Sequence, residues 1–425
     1  MTTNLTTVPA GRQAGGHHTH GRRIVAALAI TTTIGYGSLY YAYAVLLRPI
    51  AATLGVSATA VTGALTASVL AGALMAIPVG RWLDHHGGRA LMTVGSITAT
   101  VLLIAWSQVQ TVWQLFAVMI GIGVTGAMVL YEPAFAVIVT WFTPERRAPA
   151  LLAVTIVAGF ASTIFMPLTG FLDAHLGWRS TLLVMAAIYG VVTVPLHALT
   201  IRKPPARPGA LPVPPGRLNN RQRASVARAA MRDTRFWILA GTFTAHGAAT
   251  STMTVHILGY LASRGHPATF AASIAGLLGV LSVTGRLVLT VARRRLAVTT
   301  IVAAVFATQA VAVLAMPALA GTPIGAIITV TGFGLGFGIA SLATPALLAD
   351  RYGTAAYATI AGRLTAPITT AKAAAPLVAA TVLAHDGYNV LLGVVACACF
   401  LAAGGMMIKR GSGTHTGGRQ VGQPV

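Results

Sequence analysis

Runs of about twenty apolar residues, each ended by a short polar turn, recur along this chain from residue 24 to residue 408. A helix rises ~1.5 Å per residue, so a run of that length crosses the hydrocarbon core of a bilayer. Lipid offers no water to backbone N–H and C=O groups, so such runs fold as helices and not as open strands. Only 8% of the residues are charged, against about 25% in a soluble domain. The runs fall at 24–47, 61–79, 90–105, 112–139, 151–171 and to 199, then at 236–262, 268–292, 296–316, 323–348, 358–384 and 387–408. That makes twelve, and the stretch 202–235 divides them six and six. Pro204, Pro205, Pro208, Pro212, Pro214 and Pro215 stiffen its first part, and a basic stretch follows from Arg217 to Arg235. It is expected to be a cytoplasmic linker that buries no core and lies on the anionic inner leaflet.

The formal charge of +22 invites a nucleic-acid reading, and its distribution excludes one. Arg12, Arg22 and Arg23 precede the first run, Arg146 and Arg147 share one short loop, and Arg293, Arg294 and Arg295 share another. Lys409, Arg410 and Arg419 follow the last run, and only Arg48, Arg179 and Arg264 fall at the opposite set of turns. This is the positive-inside pattern with both termini cytoplasmic, which fits the inner (plasma) membrane. Residues 1–22 and 411–425 are expected to be disordered tails. His17, His18 and His20 then belong to a solvated tail and not to a metal site. Cys397 and Cys399 lie within the last run and are expected to pack, with no disulfide or zinc. The first run is too long for a cleavable signal peptide, and its arginine flank suits a signal anchor.

Between the second and third runs stands Gly80-Arg81-Trp82-Leu83-Asp84-His85-His86-Gly87-Gly88-Arg89. An acid in such a turn can bond the N-terminal amides of the next helix, and the glycines let backbones pass closely. The second half carries echoes of the first. Gly126, Pro133 and Ala134 match Gly338, Pro345 and Ala346 at an offset of 212, and Gly177 matches Gly387 at 210. Gly285-Arg286 followed by Arg293-Arg294-Arg295 looks like a decayed second copy of the loop, without the acid.

The spacing Gly80-x3-Asp84-x2-Gly87-x-Arg89 resembles the loop signature of the major facilitator superfamily. With the twelve runs, the linker and the repeat, the resemblance covers about residues 24–410. It implies an all-α integral membrane protein with twelve transmembrane helices in two six-helix bundles related by an internal repeat, residues 23–201 and 236–410. It also implies a central substrate cavity worked by alternating access.

Seven acids are few enough to read singly, and six sit in loops or at helix ends. Glu132 alone lies deep in a span, ~15 Å from the cytoplasmic edge. A charge at that depth costs about 2.5–3.5 kcal/mol, so it is expected to face protein or water. Lys372 is the matching cation, near the middle of span eleven, between Pro367 and Pro376. Its stem is too short to snorkel out from there. Arg286 in span eight offers a fork that suits a carboxylate. Basic residues in spans eight and eleven resemble the oxalate/formate exchanger and monocarboxylate branches of the superfamily, where they meet a carboxylate. Thr290 stands where that pattern has a glycine.

Tyr36, Tyr40 and Tyr43 recur at helical spacing, which predicts a hydroxyl-bearing face on span one. Tyr131 adjoins Glu132, and His256 follows His246 in span seven. Each can line the cavity. The glycines of 332–338 lie inside an apolar run, so they predict close helix packing and no nucleotide loop. The expected activity is secondary transport of a small organic solute, an organic anion favoured, driven by protons. The expected carrier is monomeric, needs no cofactor and is no enzyme. The rivals are a proton-driven drug efflux antiporter and a membrane sensor that keeps the fold without transport.

Overall fold

The computed structural model describes residues 11–202 and 220–408, and every regular element in them is helical. Helix α1 (Gly11–Tyr36), a π-helical turn (Gly37–Tyr41) and α2 (Ala42–Leu54) make one continuous segment. Residues 11–22, expected in the tail, run as the opening turns of α1. Then come α3 (Ala58–His86), α4 (Gly88–Ser107), α5 (Val112–Val129), α6 (Tyr131–Trp141), α7 (Pro144–Gly159) and α8 (Ala161–Thr200). After α9 (Asn220–Arg232), the second half comprises α10 (Thr234–Ser263), α11 (Ala268–Ala292), α12 (Val298–Leu319), α13 (Pro323–Gly334), α14 (Ile339–Tyr352) and α15 (Tyr357–Met407).

Among the described residues, eight helical segments are long and apolar enough to cross a membrane. Two of them stop and restart at one glycine in the positive-φ region, Gly177 at 75° and Gly387 at 78°. No other residue takes that geometry cheaply. These are the two glycines that the sequence repeat pairs. Two further spans are broken near mid-depth, at Leu130 between α5 and α6 and at 335–338 between α13 and α14. The glycines of 332–338 do permit close packing: a methyl on Gly338 would collide with the carbonyl of Ser282, and one on Gly336 with Gln309.

Among the described residues the apolar side chains gather in four cores, and their membership shows how the halves meet. One core lies wholly in the first half, with Tyr43, Leu103, Trp106 and Leu182, and one wholly in the second, with Met253, Ile257, Val313 and Phe333. The other two are shared. Leu28, Ile138 and Leu151 pack with Phe306, Ile339 and Leu342, and Val79, Leu83 and Val139 pack with Phe236, Leu348 and Leu364. Both shared cores lie toward the end that carries the Gly80–Arg89 loop. The halves are therefore fused at the loop end, and each keeps its own core at the other.

Glycines set the closeness of that fusion. A methyl on Gly80 of α3 would collide with the carbonyl of Ala358, and one on Gly362 of α15 with the carbonyl of Ala76. The backbones pass with nothing between them. Gly362→Ala is expected to cost about 1–3 kcal/mol by forcing the two helices apart. Thermal unfolding checks this, and an unchanged midpoint would refute it.

The linker departs from its expectation. Residues 203–219 lie outside the described set, but 220–232 form α9, and its Ala227 and Ala230 are buried in a shared core. Alanines three apart present a smooth stripe that can pack while the arginines between them stay solvated. Asp233 then caps α10, accepting the Arg235 amide at 3.0 Å and pairing with Arg351 at 2.7 Å. Partial burial works against its charge, but these donors and Tyr352 outweigh it and hold the carboxyl below the usual range. The clip is thus complete at neutral pH and is lost only as acid protonates Asp233.

Candidate functional site

The π-helical turn decides which tyrosines share a surface. A regular helix would align Tyr36, Tyr40 and Tyr43. The wider turn adds a residue, and Gly37 permits it, since a methyl there would collide with the Phe165 ring. Tyr43 is turned into the first half's own core, stacked on Trp106 at 5.3 Å and donating to the Val61 carbonyl. The expected face is corrected accordingly: Tyr41 joins it and Tyr43 leaves it. Ring centroids lie 6.5 Å apart for Tyr36 and Tyr40, 6.4 Å for Tyr36 and Tyr41, and 4.8 Å for Tyr36 and Tyr131. Among the described residues the four hydroxyls make no hydrogen bond; Tyr40 is exposed, and Tyr36, Tyr41 and Tyr131 are half-buried.

Glu132 lies in the first turn of α6, directly after the break at Leu130, and its carboxylate accepts its own amide. Tyr36, Tyr131 and Lys372 are all within its electrostatic reach. Lys372 stands in α15 with its side chain exposed, against Gly247 of α10, where a methyl would come to 3.3 Å of its Cγ and Cε. Its own carbonyl explains how the helix is held there. Pro376 has no N–H, so the carbonyl four residues back, that of Lys372, loses its helical donor. Ser251 Oγ supplies one at 2.6 Å, and His256 Nε2 bonds the Pro376 carbonyl at 3.1 Å one turn on. Neither Glu132 nor Lys372 belongs to an ion pair among the described residues. Two opposite charges sit near each other across an open cleft without closing on each other.

Arg286 is only 7% exposed. Its Nη1 donates to the Thr155 carbonyl in α7 at 2.8 Å, and its Nε donates to Ser341 Oγ at 3.2 Å and the Gly338 carbonyl at 3.3 Å. Gly159 leaves the room, since a methyl there would come to 3.1 Å of Nη1. Nη1 thus joins the halves, while Nε ties Arg286 to its own half. Nη2 makes no bond among the described residues, and Tyr41 and Tyr131 are within the guanidinium's electrostatic reach. His246 does not open to the cleft. It is 2% exposed, stacked on Phe306 at 4.1 Å and bonded to Gln309 at 3.1 Å.

The loop motif differs from its expectation in one respect. Asp84 does not cap the next helix. It reaches across to α15, accepting the Ala358 amide at 3.0 Å on Oδ1 and the Thr359 amide at 2.7 Å on Oδ2. That helix start has no cap of its own, so Asp84 supplies one from the other half of the chain. Gly80 permits the approach, Gly87 turns the chain at φ 80°, and Arg89 opens α4 with an exposed side chain. Tyr357, buried at the start of α15, stands within reach of both Asp84 and Glu132.

Away from this cleft, a cavity of about 670 Å³ runs along the outer flank of α15 and α12, between Leu314, Gly393, Cys397, Phe400 and Gly404. Its wall is apolar, which suits hydrocarbon and no polar solute. Another lies at the loop end and is taken up below. Among the described residues, no three His, Cys, Asp or Glu side chains gather as a metal site.

The sequence profile of the Major Facilitator Superfamily matches residues 27–366. A protein of Mycolicibacterium smegmatis described as an MFS-type efflux pump is 30% identical over 190 residues, which span 43% of this chain and 43% of that protein. Among solved structures, the human organic anion transporter MFSD10 (TETRAN) superposes with a TM-score of 0.66 at 15% identity, over 91% of this chain and 99% of its own. The E. coli fucose:proton symporter FucP gives 0.69 at 15%, over 90% and 97%. The proton:xylose symporter XylE gives 0.68 at 11%, over 91% and 95%.

Proposed function

The chain belongs to the Major Facilitator Superfamily, and on that premise we propose that it is a secondary active carrier of a small organic anion. The eight long segments, two of them double, together with α10 and α11 make twelve spans. We read them as two six-helix bundles, 23–201 and 236–410, with both termini and the loop motif on the cytoplasmic face of the plasma membrane. The cleft then opens to the outside, and the shared cores and Asp84 close the inside.

The observation that carries the anion assignment is Lys372. A lysine at mid-span, exposed, with no ion pair among the described residues and its backbone pinned by Ser251, is a cation held in place for a ligand. Tyr36, Tyr40, Tyr41 and Tyr131 give aromatic walls with free hydroxyls, and Nη2 of Arg286 gives a second donor. Glu132 is the proton site in this reading. Protonated, it lets an anion approach Lys372; ionised, it competes with the anion for the same cation. Counterflow in proteoliposomes with labelled carboxylates, sugars and cations tests the class. Carboxylate exchange is the expected result, and exchange of sugars or cations alone would overturn it. Glu132→Gln is expected to keep counterflow and to lose accumulation driven by a pH gradient. Accumulation equal to the unaltered protein's would remove the proton role.

A second reading, drug efflux, takes support for efflux alone from the mycobacterial relative's description. It requires Glu132 and leaves Lys372 dispensable. The two readings therefore part on one side chain.

A further inference from the structure

At the loop end, a cavity of about 490 Å³ opens between the α3–α4 turn, the end of α6 and the end of α8. Among the described residues, its lining includes three basic side chains, His86 of α3, Arg89 of α4 and Arg202 just past α8, and no carboxylate. Among the described residues, none of the three side chains makes a hydrogen bond or an ion pair. Trp141 forms part of the wall and fixes the rim, donating from Nε1 to the Arg202 carbonyl at 2.7 Å. His20 packs on that indole at 5.3 Å, and its Nε2 is buried without a partner. All three basic side chains are exposed, so they present their donors to solvent at one concave wall, and solvent screens the repulsion between the two guanidinium charges. A bound anion lowers what remains.

We propose that this cavity is a phosphate site. Two guanidinium groups offer paired donors to tetrahedral oxygens, and they do so better than an ammonium would. The backbone adds to the fit. The loop's acid is committed to α15, so the start of α4 at Gly88 has no side-chain cap and leaves its first amides for an anion. Gly88 itself is required, because a methyl there would come to 2.6 Å of Val137. The phosphate is either the diester of an anionic lipid headgroup or a free ion, since the same donors bind both. An occupant would join the loop motif to Arg202, where the stretch between the halves begins.

The test uses the full chain purified in detergent, with thermal unfolding read against three additives. These are short-chain phosphatidylglycerol, phosphatidylcholine of the same chain length, and inorganic phosphate against chloride at equal ionic strength. Phosphatidylglycerol is expected to raise the midpoint more than phosphatidylcholine does. Arg202→Gln is expected to weaken the apparent affinity about tenfold, Arg202→Lys to restore much of it, and Arg295→Gln, at the same end but outside the cavity, to change nothing. A shift with inorganic phosphate that Arg202→Gln also weakens assigns the site to the free ion. A silent phosphate arm beside a positive lipid arm assigns it to the headgroup. Equal stabilisation by both lipids, with no phosphate shift, overturns the proposal. So does phosphatidylglycerol binding that is unchanged in both Arg202→Gln and Arg89→Gln.

Discussion

Lys372→Ala is expected to abolish carboxylate counterflow while leaving the protein folded. Among the described residues the side chain is exposed and pairs with no acid, so its removal breaks no ion pair. The hydrogen bond at this position runs through its carbonyl, which accepts from Ser251 and which alanine keeps. The loss therefore falls on the ligand. Removing one partner of a desolvated charge pair costs about 2–5 kcal/mol, or roughly 30-fold or more in affinity. Lys372→Arg keeps the charge but exchanges a point donor for a planar fork, and is expected to bind weakly with altered selectivity. Intact carboxylate exchange in Lys372→Ala would end the anion-carrier reading and move the weight to efflux.

Asp84→Asn is expected to slow turnover without changing which substrate is carried. The carboxylate holds two consecutive amides at the start of α15, and an amide side chain keeps the shape while losing the charge. A cap of this kind is worth about 1–2 kcal/mol, which shifts a two-state ratio roughly 5–30-fold. The shift is against the state closed at the loop end. Spin labels at Arg81 and Asp350, in a background without Cys397 and Cys399, would show a longer distance between the halves. Half-saturation in counterflow should stay the same. Distances and rates matching the unaltered protein would remove Asp84 from the gate.

The parts of this structure that were legible in the sequence are those set by solvent. Apolar runs, a glycine at several reversals, and single charges in greasy surroundings such as Glu132 and Lys372 all report a cost that must be met locally. What escaped depends on neighbours far along the chain. Asp84 meets amides more than 270 residues away, with nothing in the loop to say so. Tyr41 was missed because helical spacing assumes regular turns, and the π-helical turn answers to Phe165. The adjacent Tyr40-Tyr41 pair was the available signal. The span of Arg286 suggests a substrate ligand, whereas its Nε and Nη1 serve carbonyls on both sides of the interface. The linker's alanine stripe was hidden by the arginines around it.

Two of the four cores belong to one half each, and two are made only when the halves meet. If the halves part at the loop end in each cycle, the first pair is permanent and the second is intermittent. Opening then wets apolar side chains such as Ile138, Leu151, Phe306 and Leu348, so the step carries a heat capacity of the kind seen in unfolding. Its equilibrium must bend with temperature, and cooling weakens the seal because apolar burial is worth less in cold water. The carrier's temperature response is therefore a property of its interface and not of its substrate.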